Sequence, residues 1–520
     1  MTHRHSEPIR RADALICFGV FLASFCMMAL LSPGRIDIID GQLRNEAARG
    51  LLDTGMPIIR DRLLFPLTVQ GNGGLYSIYS IGSIAAGLPM VWLSTAFNDP
   101  TFEMGRFLFT FTGPLFGALS TTILFLLLRI RGHNVRQSIL WSVLACMASY
   151  LLPLFTSSFE QPIHLPLIGL TLLCSLRARS DRRWMLAAGL SAGLLLTCQQ
   201  SYVLVTPWLC MLGWHGWNLR GNWHATCRFA LGASVGVGIV IASNVARFSA
   251  LIEVPMHASH PPIFAASPIP GLLSLLFSPG KSIVLYSPIV LLSLPGLWAG
   301  LRARSQTAIA ISGLCATHLI FVSWLTFFGS DWAWGPRYSA PLLFTLSIFL
   351  PESTRLVSRY ARQSIIGLSI VIQCLGASVD HQRFFLERDL SPYFWYEEPW
   401  YYFEHSALFT RLSEVSGMMT GGVPETAKRF NMSPYDSRTY CIFRAKRSSA
   451  IMNQFEVFYL PRPWPLWMTM TKDTVPISPL PWILGLLLGL FAGGALVRRG
   501  IVYFDQKSAD VAINAEQFGQ

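Results

Sequence analysis

The chain has 520 residues, of which 52% are hydrophobic and only 13% charged. A soluble chain carries about 25% charged residues, so a cytosolic globular enzyme is excluded and a polytopic membrane protein is expected. The formal net charge of +12 is accounted for by basic loops beside a lipid-embedded body, and no nucleic-acid partner is expected.

Residues 1–11 are basic, and the apolar run behind them has no clear small-residue cleavage site, so it reads as a retained first helix. Spanning helices are expected near 13–31, 106–128, 138–155, 162–176, 184–198, 201–215, 229–247, 283–301, 306–327, 339–350, 364–380 and 478–497. This gives an all-α polytopic membrane protein of about 12 transmembrane helices. The apolar run 78–97 is interrupted by Gly82, Gly87 and Pro89 and is expected to lie re-entrant or interfacial rather than to cross. With that choice about half of the 40 Lys and Arg fall in loops on one side, as positive-inside orientation requires. Residues 32–105 then form a first outer loop, 381–477 an aromatic-rich outer cap, and 478–520 a last helix with a cytoplasmic tail. No CxxC or CxxH pair occurs, so neither a zinc site nor a redox pair is expected.

The outer face collects the residues that can carry chemistry. Asp37, Asp40, Arg44 and Glu46 follow the first span closely, and carboxylates at the mouth of an apolar bundle are costly to desolvate. The segment from Gly41 reads as an amphipathic helix with Leu43, Ala47 and Leu51 on one face and Gly55 as its stop. Asp40 takes the N-cap position, which accounts for it as a plain cap, but a carboxylate held there also stays rigid and ionised, as a general base must. Asp37 is the alternative base. Tyr76 and Tyr79 follow a glycine-rich turn, as an aromatic belt or as site walls. Glu160 and His164 stand at a helix mouth. Lys281, in FSPGKSIVLYSP, and Arg337, in FFGSDWAWGPRYSAP beside Asp331, Trp334 and Tyr338, oppose the charge trend. Such cations either snorkel to headgroups or grip an anion; Arg holds a phosphate through two parallel bonds and Lys supplies a point charge. Together with Asp40 they form a set: base, phosphate cations and aromatic walls. No cofactor is demanded, and a divalent cation between Asp40 and Glu160 is disfavoured.

The ordered motifs are similar to bacterial GT-C integral-membrane glycosyltransferases, in the branch related to protein O-mannosyltransferases and aminoarabinose transferases. They are Asp40-Gly41 with Arg44 and Ala48, Gly55, Tyr76-Ser77, Gly82, Leu88-Pro89, FSPGKSIVLYSP, WAWGPRYSAP and QCLGASVD, within residues 13–380. The chain departs from that pattern at Cys198-Gln199-Gln200-Ser201, where the family often carries an arginine, and at Ile38-Ile39, where it carries more charge. The resemblance implies a GT-C-like catalytic domain over 1–380 in a bacterial inner membrane. It implies transfer of a sugar from a polyprenyl-phosphate donor to a hydroxyl on a glycan, lipid or protein at the extracytoplasmic face. Asp40 would act as base with inversion at the anomeric carbon. A transporter or flippase of lipid-linked glycans, and a scaffold using the 381–477 cap, are the competing readings.

Overall fold

The computed structural model describes residues 6–32, 34, 36–60, 68–97, 103–217, 219–251, 264–329, 333–378, 406–411, 443–446, 454–457 and 479–518. The described chain is mostly helical, with two short antiparallel hairpins, Thr68–Gly71 with Gly74–Ser77 and Phe443–Lys446 with Gln454–Val457. Five described stretches are by themselves long and apolar enough to cross a membrane: Asp13–Leu31, Met104–Ile130, Arg220–Phe248, Gln306–Trp324 and Pro481–Gln506. The chain is thus a multi-pass membrane protein.

Proline and serine break several of the expected spans. The run 283–301 becomes Ile283–Tyr286, a 3-10 turn Pro288–Leu292 and Leu294–Arg302, because each proline lacks the N–H that would continue the preceding turn. The run 201–215 is likewise a 3-10 turn, Gln200–Leu204, followed by Thr206–Met211 with Pro207 in its first turn. The expected cap 381–477 lies largely outside the described residues; its one described helical turn, at 407–411, lies next to Ser406, whose Oγ donates to the Pro279 carbonyl at 2.5 Å.

The first span ends at Leu31, and the chain turns into an amphipathic helix, Ile39–Thr54. Its Leu43, Ala47 and Ala48 are fully buried with Ile36, Ile84 and Phe109. Gly55 closes it in the left-handed region, φ 74°, with its N–H on the Leu51 carbonyl. The Thr68–Ser77 hairpin leads into two short helices, Ile81–Ala85 and Leu88–Ser94. At 1.5 Å per residue even the pair together is about 20 Å long, short of the ~30 Å hydrocarbon core, so 78–97 does not cross as one helix. It lies instead against the end of Trp184–Cys198, where Ser83 Oγ donates to the Cys198 carbonyl at 3.2 Å.

At one end of the bundle Arg131 pairs with Glu352 at 2.8 Å and Arg362 donates to the Ser353 carbonyl at 3.2 Å. The residues of the expected outer face gather at the other end.

Candidate active site

Four stretches distant in sequence meet at that second end: the start of Ile39–Thr54, the 156–161 loop, Tyr79, and the 333–338 loop. The helix begins at Ile39 after an extended Ile38, with no side-chain cap. Asp40 is therefore a first-turn residue and not the N-cap expected from the sequence. Its carboxylate still lies at the positive end of the helix dipole, and it has taken another partner. Arg337 Nη1 donates to Asp40 Oδ2 at 2.9 Å, across 297 residues of sequence, and both side chains are buried.

The rest of the Arg337 guanidinium faces aromatic groups. Its Nη2 donates to the Tyr338 hydroxyl at 3.2 Å. Its carbon lies 4.3 Å from the Phe159 ring centre and 5.0 Å from that of Tyr338, within cation–π range. Its Nε has no hydrogen-bond partner among the described residues. Burial opposes its charge, but Tyr338, Asp40 and Tyr79 outweigh burial and its pKa is raised.

Arg44, one turn beyond Asp40, is fully buried. It donates through Nη2 to the Ser158 carbonyl and through Nε to the Asp40 carbonyl, fastening the helix start to the 156–161 loop. Burial lowers its pKa while Glu160, Tyr79 and Asp40 raise it, the first prevailing. Glu160 is pushed up to about 7, chiefly by burial, with Arg44 acting against this and Asp40 adding to it. It therefore titrates near neutrality. Tyr79 is raised well above the ordinary phenol range by burial and then by the charges of Asp40 and Glu160.

Asp37 is engaged differently. Ser157 Oγ donates to its Oδ2 at 2.5 Å and the Ser158 N–H to its Oδ1 at 2.8 Å. Together with Arg44 it holds the 157–158 backbone, and Gly41 makes the approach possible: a Cβ there would meet Ser158 Cβ at 2.5 Å. Lys281 is buried, and its Nζ donates to the carbonyls of Ala333 at 2.8 Å and Gly335 at 3.3 Å. It thus fixes the loop that carries Arg337.

The other expected residues lie outside this cluster. Glu46, two residues and about 200° around the helix from Arg44, pairs with Arg106 at 3.5 Å. Tyr76 donates to the Asn72 carbonyl at 2.6 Å within its own hairpin. Trp334 packs edge-on against Tyr286, ring centres 5.1 Å apart, and beneath the Arg411 guanidinium at 4.9 Å. His164 bonds through Nδ1 to the Tyr202 hydroxyl at 3.1 Å. Asp331 lies outside the described residues. Among the described residues no group of three or more His, Cys, Asp and Glu side chains converges as a metal site.

No family model and no curated protein matches the sequence. In structure the chain is similar to ArnT from Cupriavidus metallidurans in the apo state, with 15% identity, a TM-score of 0.49, and coverage of 96% of this chain and 79% of that one. ArnT bound to undecaprenyl phosphate gives 15% identity and a TM-score of 0.49 over 97% of this chain and 80% of that one. The archaeal oligosaccharyltransferase AglB from Archaeoglobus fulgidus, in complex with an inhibitory peptide and a dolichol-phosphate, gives 11% identity and a TM-score of 0.42 over 76% of this chain and 60% of that one. At these values likeness alone assigns no activity to this chain; the side chains must carry it.

Some of the site was not readable from sequence. Phe159, the platform under Arg337, and the anchoring pair Ser157 and Ser158 carry no signal beyond a short polar loop. Tyr202 and His318, whose rings stack at 6.0 Å, lie in apolar runs where an aromatic reads as core.

Proposed function

We propose that this protein is a glycosyltransferase that moves a sugar from a polyprenyl-phosphate donor to a hydroxyl acceptor, with Asp40 as general base. The observation that carries the reading is the buried Asp40–Arg337 pair, whose guanidinium keeps an Nε unpaired among the described residues at the end of an apolar bundle. An arriving lipid phosphate competes for the same guanidinium, and its two-pronged geometry suits the exchange. Arg337 then turns part of its charge to the phosphate. Asp40 is then free to accept a hydrogen bond from the acceptor's hydroxyl. Donor binding thereby frees the base from its arginine partner.

In the transfer step Asp40 accepts the acceptor's hydroxyl proton and that oxygen forms a bond to the anomeric carbon. The bond from this carbon to the phosphate oxygen breaks, and its electron pair stays on the phosphate. Attack from the side opposite the leaving group inverts the centre. Arg337 stabilises the charge that builds on the phosphate, in a site where water screens little. Asp37 and Arg44 act as positioning residues that fasten the start of the Asp40 helix to the 156–161 loop, and Lys281 holds the loop that carries Arg337. The basic end of the bundle faces the cytoplasm in this reading, which puts the site on the extracytoplasmic face of a bacterial plasma membrane.

The test uses the purified chain in lipid nanodiscs with polyprenyl-phosphate-linked sugars. Asp40→Asn is expected to lower transfer by about 10²–10⁴-fold while polyprenyl phosphate still binds. Unchanged transfer by this variant would sink the assignment of the base. A carrier of lipid-linked glycans needs no base, so it predicts transport without transfer, insensitive to the same change.

A further inference from the structure

Beside the Asp40–Arg337 pair lies a second, smaller feature that the transfer step does not use. A cavity with room for a single water-sized group is lined by Gln161, Gln199, Tyr202, His318 and Tyr338, with apolar side chains closing the rest. Tyr338 connects it to the candidate site, since its hydroxyl accepts from Arg337 Nη2. Most of the polar lining is already committed. The Tyr202 hydroxyl is bonded to His164, and His318 Nε2 is 2.8 Å from the Tyr338 carbonyl oxygen. Gln161 is not: its side chain is 1% exposed, and neither Oε1 nor Nε2 has a hydrogen-bond partner among the described residues. A buried amide with both ends unpaired is unfavourable unless something completes it. It offers one acceptor and two donor hydrogens, which suits a hydroxyl that both gives and takes a bond.

The lining contains no Asp, Glu, Lys or Arg. A charged sugar, whether an amino sugar or a uronic acid, would find no counter-ion there and would lose its hydration on entry. An uncharged hydroxyl loses little, because the amide replaces its water. On the reading of the protein as a polyprenyl-phosphate sugar transferase, we infer that this cavity is a specificity notch. It takes one hydroxyl of the donor's sugar through Gln161, and so selects an uncharged, hydroxyl-bearing sugar over amino and acidic ones. Gln161 follows Glu160 directly at the start of Gln161–Ala178, so the notch is fixed to the same loop that Asp37 and Arg44 hold.

The test measures binding of four probes to the full chain in nanodiscs: polyprenyl phosphate alone, and the same lipid carrying glucose, 4-amino-4-deoxyarabinose or glucuronic acid. The wild type is expected to bind the glucose lipid at least 10-fold more tightly than either charged one. Gln161→Leu is expected to erase that preference and leave binding of the bare lipid phosphate unchanged. Gln161→Glu supplies a counter-ion and is expected to shift the preference to the amino sugar, a gain that a folding defect cannot imitate. If both variants keep the wild-type order of affinities, Gln161 holds no more than a water and the notch is overturned. If the wild type binds no polyprenyl phosphate at all, the transferase reading falls and takes the notch with it.

Discussion

At the scale of single residues, the site depends on charges that are buried and mutually compensated. Removing one member of a buried ion pair leaves the other uncompensated, at a cost of about 3–5 kcal/mol, whereas removing both charges together costs far less. Arg337→Ala should therefore lower the thermal unfolding midpoint more than the double variant Asp40→Asn/Arg337→Gln, as followed by scanning fluorimetry in detergent. Equal losses from the two would mean that the 2.9 Å bond contributes little. Glu160 sets a pH dependence. Its folded-state value of about 7 lies above the ordinary carboxylate value of 4.5, so the folded state holds the proton more tightly than the unfolded chain. The associated stability is present in full below about pH 4.5 and is lost as pH rises to about 7, then stays level. Glu160→Gln, which stays neutral, should flatten the midpoint across that window. Much of this was legible in the sequence by type but not by partner. Asp40, Arg337 and Lys281 stand out as charges on one expected face. That Arg337 meets Asp40 while Lys281 meets two backbone carbonyls depends on the path of the 333–337 loop, which no periodicity encodes.

At the scale of elements, apolar runs are legible because length and hydropathy suffice to define them, as Asp13–Leu31 and Gln306–Trp324 show. Their breaks are less so. A proline near the start of a helix and a proline that ends one look alike in a string, and 283–301 reads as one span although Pro288 divides it. The pair Ile81–Ala85 and Leu88–Ser94 was legible in part, through its glycines and proline. What the string does not give is the surface those glycines meet. A Cβ on Gly82 would stand 2.7 Å from the Thr197 carbonyl carbon and 2.9 Å from the Cys198 nitrogen, contacts that side chains do not tolerate. Gly82→Val should therefore push this insert away from Trp184–Cys198 and loosen Ser83 from its carbonyl. We expect a lower unfolding midpoint and reduced sugar transfer with the Asp40–Arg337 pair chemically intact. An unchanged midpoint would show that the insert does not depend on that contact.

At the scale of the molecule, the placement of basic residues at one end and the site at the other makes orientation testable. A cysteine at Gln70, exposed on the hairpin, should react in intact spheroplasts with a membrane-impermeant maleimide, and one at Arg304, exposed at the basic end, should react only after lysis. The reverse pattern would put the site inside. The same hairpin carries a further consequence. Asn72 bonds by its N–H to the Arg247 carbonyl at 2.6 Å and by its side chain to the Ala246 carbonyl at 3.1 Å, and Arg247 in turn donates to the Tyr79 carbonyl at 3.1 Å. These bonds clasp the C-terminal end of Leu219–Phe248, a helix of 30 residues with many apolar side chains turned outward. Its first third carries Arg220, Asn222, His224 and Arg228, and the apolar remainder of about 20 residues is about 30 Å long, matched to the hydrocarbon core. The clasp ties the end of this lipid-facing helix to the backbone of Tyr79. A displacement of that helix end would reach the segment entering the candidate site without touching Asp40 or Arg337.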